Sequence, residues 1–211
     1  MKVIEIEQGS ADWKQLREGR LTGTKIGTIY AKSRKADEMF DTSKHLLGFY
    51  ELLAERLTDS DDLSSSIERG KALESEALEV ASDELGIEFV HGNVWELDKN
   101  HIESPDGYTE DLKIAIEIKC LASSRHIQAI YDDRPPIEYM TEYANYFLVN
   151  KDLEMLIVYL YDPRFIESKL RTHYWFLNRV DLMPQIRALK AVKKMVLKEL
   201  KEAEERLCSA T

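Results

Sequence analysis

Two carboxylates stand out by their neighbours: Asp106, in Glu103-Ser104-Pro105-Asp106-Gly107, and Glu117, in Glu117-Ile118-Lys119. Hydrolysis of a phosphodiester needs a divalent cation to neutralise the scissile phosphate and to make a nucleophile from water near neutral pH. Magnesium takes oxygen ligands and binds through one or two carboxylates plus water and substrate phosphate. A carboxylate at the end of one strand and a second in the middle of its neighbour can converge on one such ion, with the backbone carbonyl of Ile118 as a further oxygen. Lys119 shares a strand face with Glu117 and can hold or deprotonate an attacking water, a role that suits a lysine near negative charge. Glu74 adds a third carboxylate: Ile67, Glu74, Leu78, Ala81 and Leu85 keep one helical stripe, which places Glu74 in line with apolar positions near a helix start. Each feature also has a plain reading. Pro-Asp-Gly is an ordinary turn, Glu-x-Lys is often a solvated strand face, and a glutamate beside an apolar stripe at a helix start is favoured by the helix dipole.

These residues need a sheet and a helix to position them, and the sequence supplies both. Ile114-Ala115-Ile116-Glu117-Ile118-Lys119 alternates strictly, so the isoleucines take one face and Ala115, Glu117 and Lys119 the other. Leu153 to Tyr161 is almost continuously apolar, as a strand covered on both faces must be, and Thr172 to Leu177 reads as its neighbour. Helices are expected over Trp13 to Gly19, Thr24 to Ala31, Ser43 to Leu57 and Gly70 to Leu85, the last stopped by Gly86 as a C-terminal cap. Pro135-Pro136 opens another that runs to about Val149. Ile186, Leu189, Val192, Val196, Leu200, Ala203 and Leu207 step by three or four along a final helix from about Pro184 to Leu207. The expected fold is α/β, a central mixed β-sheet flanked by helices. It forms one domain over residues 1–211, with N-terminal helices over about 10–86, the sheet region over about 87–178 and the C-terminal helix over about 184–207.

Composition narrows the function classes. A chain of 211 residues that is 44% hydrophobic and 32% charged can bury a core and is not a disordered one. No apolar run nears the roughly 20 residues of a membrane span, and MKVIEIEQGS lacks a secretory apolar segment, so a soluble, cytoplasmic protein with no membrane partner is expected. Cys120 and Cys208 are too few for a disulfide framework or a structural zinc site, which agrees with a reducing compartment. Five histidines without ligand spacing make no further metal case, although His101 and His126 are placed within reach of a substrate; Trp13, Trp95 and Trp175 read as core aromatics. The net charge of −10 argues against a protein that coats nucleic acid, which wants a basic surface. It leaves room for local grip. Between Lys14 and Lys44 eight basic residues face four acidic ones.

Read in order, several blocks resemble the phage lambda exonuclease (YqaJ-type viral recombinase) family of the PD-(D/E)xK nuclease superfamily. They are EQGSADWKQLREGRLTGTKI from Glu7 to Ile26, Arg69-Gly70-Lys71-x-x-Glu74, Ser104-Pro105-Asp106-Gly107, Glu117-Ile118-Lys119-Cys120, Tyr139-Met140 at a helix start, and Tyr161-Asp162-Pro163-Arg164 near the end of the sheet. The resemblance implies a restriction-endonuclease-like core with Asp106 and Glu117 as magnesium ligands, Lys119 as the catalytic lysine and Glu74 as the helix glutamate, with Mn²⁺ able to substitute for Mg²⁺. It implies an exonuclease that digests linear double-stranded DNA from 5′ to 3′ and leaves a 3′ single-stranded tail for recombination by a single-strand annealing protein, in a bacterial or phage-infected cell. It further implies a ring-shaped homotrimer.

The same resemblance implies a 5′-phosphate pocket made by Arg17, Thr24 and Ser104. A guanidinium forks onto phosphate oxygens, and a threonine at a helix start offers its hydroxyl and nearby amides to an anion. A surface arginine and an ordinary threonine cap are the plain alternatives. The loop Lys32-Ser33-Arg34-Lys35 matches the place from which the family sends an arginine toward duplex DNA, so Lys32, Arg34 and Lys35 are the candidate DNA contacts, against a simple solvated charge run. One departure is clear. The family's Gln-x-Gln pair on the helix after the catalytic strand is replaced here by Glu142 and Ala144, and Glu142 shares its neighbourhood with Tyr139, Tyr143 and Tyr146 as core packing or as a wall of the DNA channel. Two other functions fit the same residues: an endonuclease or single-strand or branched-DNA nuclease of the superfamily, and a non-catalytic DNA-end or recombination-partner binding protein.

Overall fold

The computed structural model describes residues 28–32, 40–58, 66–91, 93–98 and 101–194, together with residues 12 and 15. Five strands make the main sheet, in the order β3 (Val90–His91), β6 (Gly107–Tyr108), β7 (Ile114–Lys119), β8 (Met155–Tyr161) and β9 (Thr172–Asn178). β3 pairs antiparallel with β6, and β6 with β7 in a register that sets Gly107 opposite Ile116. Two hairpins stand apart from it: β1 (Tyr30–Lys32) with β2 (Phe40–His45), and β4 (Trp95–Asp98) with β5 (His101–Glu103). The helices are α1 (Leu47–Leu57), α2 (Ser66–Leu85), α3 (Ser123–Asp132), α4 (Met140–Val149) and α5, helical over residues 183–194. The chain is an α/β protein with a mixed central sheet and flanking helices.

β8 is buried along all but its first residue, as its unbroken apolar sequence requires of a central strand. Its leucines, Ile157, Val158 and Tyr159 each contribute about 1.5–3 kcal/mol through burial. β7 is buried from Ala115 through Ile118, so Glu117 is a carboxylate inside the core layer and not part of a solvated face.

Two compact units can be distinguished. The first holds residues 1–73, 119–134 and 160–173, and its core joins Tyr50 and Ala54 of α1 to Ile127 of α3 and Phe165. Buried Asp162 ties it together. Its carboxylate takes Arg164 through both oxygens, at 2.7 and 2.8 Å, and Ser123 Oγ at 2.7 Å. Burial pushes that carboxyl up, but the hydrogen bonds from Arg164 and Ser123 prevail and hold it below the usual carboxylate range. The second unit holds residues 74–118, 135–159 and 174–211. Its core packs Tyr143, Tyr146, Phe147 and Leu148 of α4 on Ala115, Leu156 and Val158 of the sheet, with Trp95 and Trp175 against the cluster.

Several elements differ from expectation. The helix expected over Ser43 to Leu57 begins only at Leu47, because Ser43 to His45 finish β2, with His45 paired to Tyr30 of β1, and the Leu46 N–H donates to the Ile29 carbonyl at 2.7 Å. The helix expected over Thr24 to Ala31 gives way to strand at Tyr30 for the same reason. α3 follows β7 where no helix was expected. Its buried side chains, His126, Ile127 and Ala129, are too few and too mixed in polarity to make a stripe in sequence, and it ends at Asp133 in the left-handed region, φ 46°. Pro135-Pro136 is followed by a 3₁₀ turn, Ile137–Tyr139, before α4 starts. α2 starts at Ser66, earlier than Gly70, and stops where Gly86 takes φ +64° and the Ile87 N–H closes back on the Ser82 carbonyl at 3.2 Å. The helix expected over Trp13 to Gly19 and the end of the last helix lie outside the described residues.

Candidate active site

The turn that carries Asp106 is shaped by its neighbour. A Cβ on Gly107 would lie 2.8 Å from Leu78 Cδ1 of α2 and 3.0 Å from Ile116 Cγ2 of β7, so any side chain here would press on both helix and strand. Asp106 then reaches sideways: its Oδ2 accepts the Ile118 N–H at 2.7 Å. The Asp106 carboxylate therefore sits on the peptide that joins Glu117 to Ile118, and the two acidic side chains and the Ile118 peptide are brought into one place. Lys119 closes β7 two residues beyond Glu117, on the same face by strand alternation.

Glu117 is 5% exposed, and its Oε2 accepts a hydrogen bond from the hydroxyl of Tyr146 on α4. Burial pushes the Tyr146 phenol far above its ordinary value, and the charge of Glu117, its hydrogen bond, and the charges of Glu103 and Asp106 push the same way. The phenol keeps its proton and donates it. Tyr143, one turn earlier, is raised as well, by burial first and then by Glu117 and Glu142; its buried hydroxyl has no hydrogen-bond partner among the described residues. Glu103, at the end of β5, accepts the Ser104 N–H on one oxygen at 3.1 Å and the Asn145 side-chain amide on the other. The Tyr146 hydroxyl also lies 3.2 Å from the Ser104 carbonyl.

Glu74 is exposed on α2. It lies one turn before Leu78, the residue whose side chain reaches Gly107. Ser104 is exposed. Arg17, Thr24, Arg34 and Lys35 lie outside the described residues, and Lys32 is placed only by its backbone, on β1. One expectation is corrected. His126 is fully buried with its Nε2 on the Leu170 carbonyl at 2.9 Å, so it cannot touch a substrate; α3 packing on Phe165 covers it. Of the two readings of α4, Tyr143, Ala144 and Tyr146 take the packing one, being buried in the core, while Tyr139 and Glu142 are half-buried.

Sequence reasoning missed Tyr146, which holds Glu117, and the Glu103–Asn145 pair beside Ser104. A signal existed for the first: Tyr139, Tyr143 and Tyr146 share a helical stripe, and a buried tyrosine hydroxyl needs a polar partner. Among the described residues no group of three His, Cys, Asp or Glu side chains is close enough to hold a metal ion by itself. Two carboxylates and a carbonyl are an all-oxygen donor set that suits a hard divalent cation completing its shell with water and substrate phosphate.

Residues 12–150 match the YqaJ-like viral recombinase domain. The chain belongs to that family. No match was found among curated proteins. Among solved structures, this YqaJ-type chain is similar to the alkaline exonuclease LHK-Exo from Laribacter hongkongensis, at 20% identity and a TM-score of 0.54, over 94% of this chain and 100% of that one. The same exonuclease in complex with dAMP gives 21% identity, a TM-score of 0.54 and the same coverage. At such identity the likeness is one of fold. The YqaJ-type chain shares with that alkaline exonuclease the arrangement of a sheet flanked by helices.

Proposed function

We propose that the chain is a metal-dependent deoxyribonuclease that degrades linear double-stranded DNA from its ends, 5′ to 3′, and leaves 3′ single-stranded tails for strand annealing. The observation that carries this reading is the Asp106 carboxylate seated on the Glu117–Ile118 peptide, with Glu117 held from the other side by Tyr146. Family membership and the fold shared with alkaline exonucleases support the same class of reaction.

Asp106, Glu117 and the Ile118 carbonyl would hold Mg²⁺, or Mn²⁺ in its place. When bound, the cation supplies charge neutralisation for the scissile phosphate and acidifies water. Around it the chain's own groups divide the work. Tyr146 keeps Glu117 in one orientation, so the ligand is set before substrate arrives. Lys119 orients the attacking water and steadies charge at the phosphoryl oxygens, and Glu74 of α2 accepts a hydrogen bond from that water. Ser104, with Arg17 and Thr24, receives the 5′-phosphate, and Lys32, Arg34 and Lys35 meet the duplex. A single-strand annealing protein takes up the tail, and the enzyme works as a ring-shaped homotrimer in the cytoplasm.

Incubation with linear and closed circular duplex of one sequence tests the end requirement. Linear DNA is expected to be consumed with closed circles intact. Cutting of closed circles at a comparable rate would turn the assignment to an endonuclease.

A further inference from the structure

The residue before Ser104 and two consecutive residues of α4 form a strap around that serine. Glu103 accepts the Ser104 N–H at 3.1 Å and, through its other oxygen, the Asn145 amide. The Tyr146 hydroxyl lies 3.2 Å from the Ser104 carbonyl while it donates to Glu117. The Ser104 N–H is thus held from α4 through Glu103, and its carbonyl packs against the Tyr146 hydroxyl, whose single proton goes to Glu117. With its backbone fixed, an exposed serine has one torsion left to place its hydroxyl. Because the Ser104 amide already serves Glu103, an arriving anion is offered that hydroxyl alone. The Glu103 carboxylate stands one residue away, and released from Asn145 it would repel a phosphate and loosen the serine together.

Resting on the reading of Ser104 as a contact of the 5′-phosphate, we infer that Glu103 and Asn145 are positioning residues that set the preference for phosphorylated DNA ends. They act through Ser104 and not on the scissile bond, so their effect falls on recognition of the end phosphate and spares turnover.

The test measures initial rates on matched linear duplexes with 5′-phosphate or 5′-hydroxyl ends. It compares wild type with Asn145→Ala, with Glu103→Ala and with Glu103→Gln, which keeps an acceptor for the Ser104 N–H. Melting curves report folding, and the two alanine variants cut the strap from opposite sides, so one suffices if the other fails to fold. The expected result is a rise of about fivefold or more in KM for phosphorylated ends in Asn145→Ala, and a smaller rise in Glu103→Ala, where the serine is loosened but the repelling carboxylate is gone. Their kcat, and their KM for hydroxyl ends, stay within about twofold of wild type, and Glu103→Gln keeps most of the preference. A wild-type preference that persists in both alanine variants overturns the strap and leaves the nuclease reading standing. A parallel loss on both substrates with a lowered melting temperature reduces the strap to a structural contact and overturns it as well. A wild type that degrades both ends equally removes Ser104 from phosphate recognition, and the strap falls with it.

Discussion

Glu117 takes a hydrogen bond from the buried hydroxyl of Tyr146. A buried carboxylate that loses a hydrogen-bond donor carries an uncompensated desolvation cost, about 1–3 kcal/mol, whereas the ring of phenylalanine fills the space of tyrosine. Tyr146→Phe is therefore expected to lower stability by about that amount, to weaken Mn²⁺ binding measured by calorimetry, and to reduce kcat about tenfold. Unchanged metal affinity and rate would show that Tyr146 is packing only. His126 gives a second prediction, set by pH. Burial holds its imidazole at about 4, against an ordinary value of 6.5, although the charge of Asp162 and the Leu170 carbonyl pull the other way. The unfolded chain takes up a proton below pH 6.5 that the folded chain refuses, so the stability this residue contributes is complete above 6.5 and is lost as pH falls toward about 4. The loss amounts to roughly 3 kcal/mol by pH 4. His126→Gln, whose amide can still reach the Leu170 carbonyl, is expected to flatten the fall in melting temperature between pH 6.5 and 4.5. An equal slope in that variant would place the acid sensitivity elsewhere.

At the scale of elements, the Asp106 turn is where α2, β6 and β7 meet. Gly107→Ala would press a methyl group against Leu78 and Ile116. The cost is about 1–3 kcal/mol, since the Leu78 side chain can yield while the strand cannot, and the displaced turn would take Asp106 from the Ile118 N–H. A melting curve and a rate assay check this, and an alanine variant as stable and active as wild type would contradict it. Elements of this kind were legible in sequence where period and composition agreed. The alternation of β7, the unbroken apolar run of β8 and the glycine stop of α2 each follow from residues a few positions apart. α3 and the β1–β2 hairpin were not: α3 is short and polar on average, with few apolar residues to mark it, and Phe40 to His45 is a mostly polar strand whose pairing with β1 leaves no alternation of apolar residues. The candidate site divides along the same line. Asp106, Glu117 and Lys119 are visible through residue type and spacing. Tyr146 joins them only across 29 residues of chain, and Asn145 meets Glu103 beside Ser104 across 42, when α4 packs beneath the strands. Glu142 and Ala144, which depart from the family's Gln-x-Gln pair, are explained only in part: Ala144 fills the core, while nothing in the structure accounts for an acid at 142.

At the scale of the molecule, a net charge of −10 disfavours a protein that binds DNA along its whole surface. Asp106, Glu117 and Glu74 would cease to repel a phosphate once a divalent cation is bound, which makes activity, and not binding alone, hinge on the metal. Among the described residues no helix is long and apolar enough to cross a membrane. The most direct test is a time course on 5′-end-labelled linear duplex with Mg²⁺, with chelator, and with an Asp106→Ala variant whose melting curve shows that it has folded. The account predicts release of the label as mononucleotide by wild type with Mg²⁺ and a fall of at least about a thousandfold in the other two, since a missing metal ligand removes the largest source of charge stabilisation. Turnover by folded Asp106→Ala at the wild-type rate would contradict it.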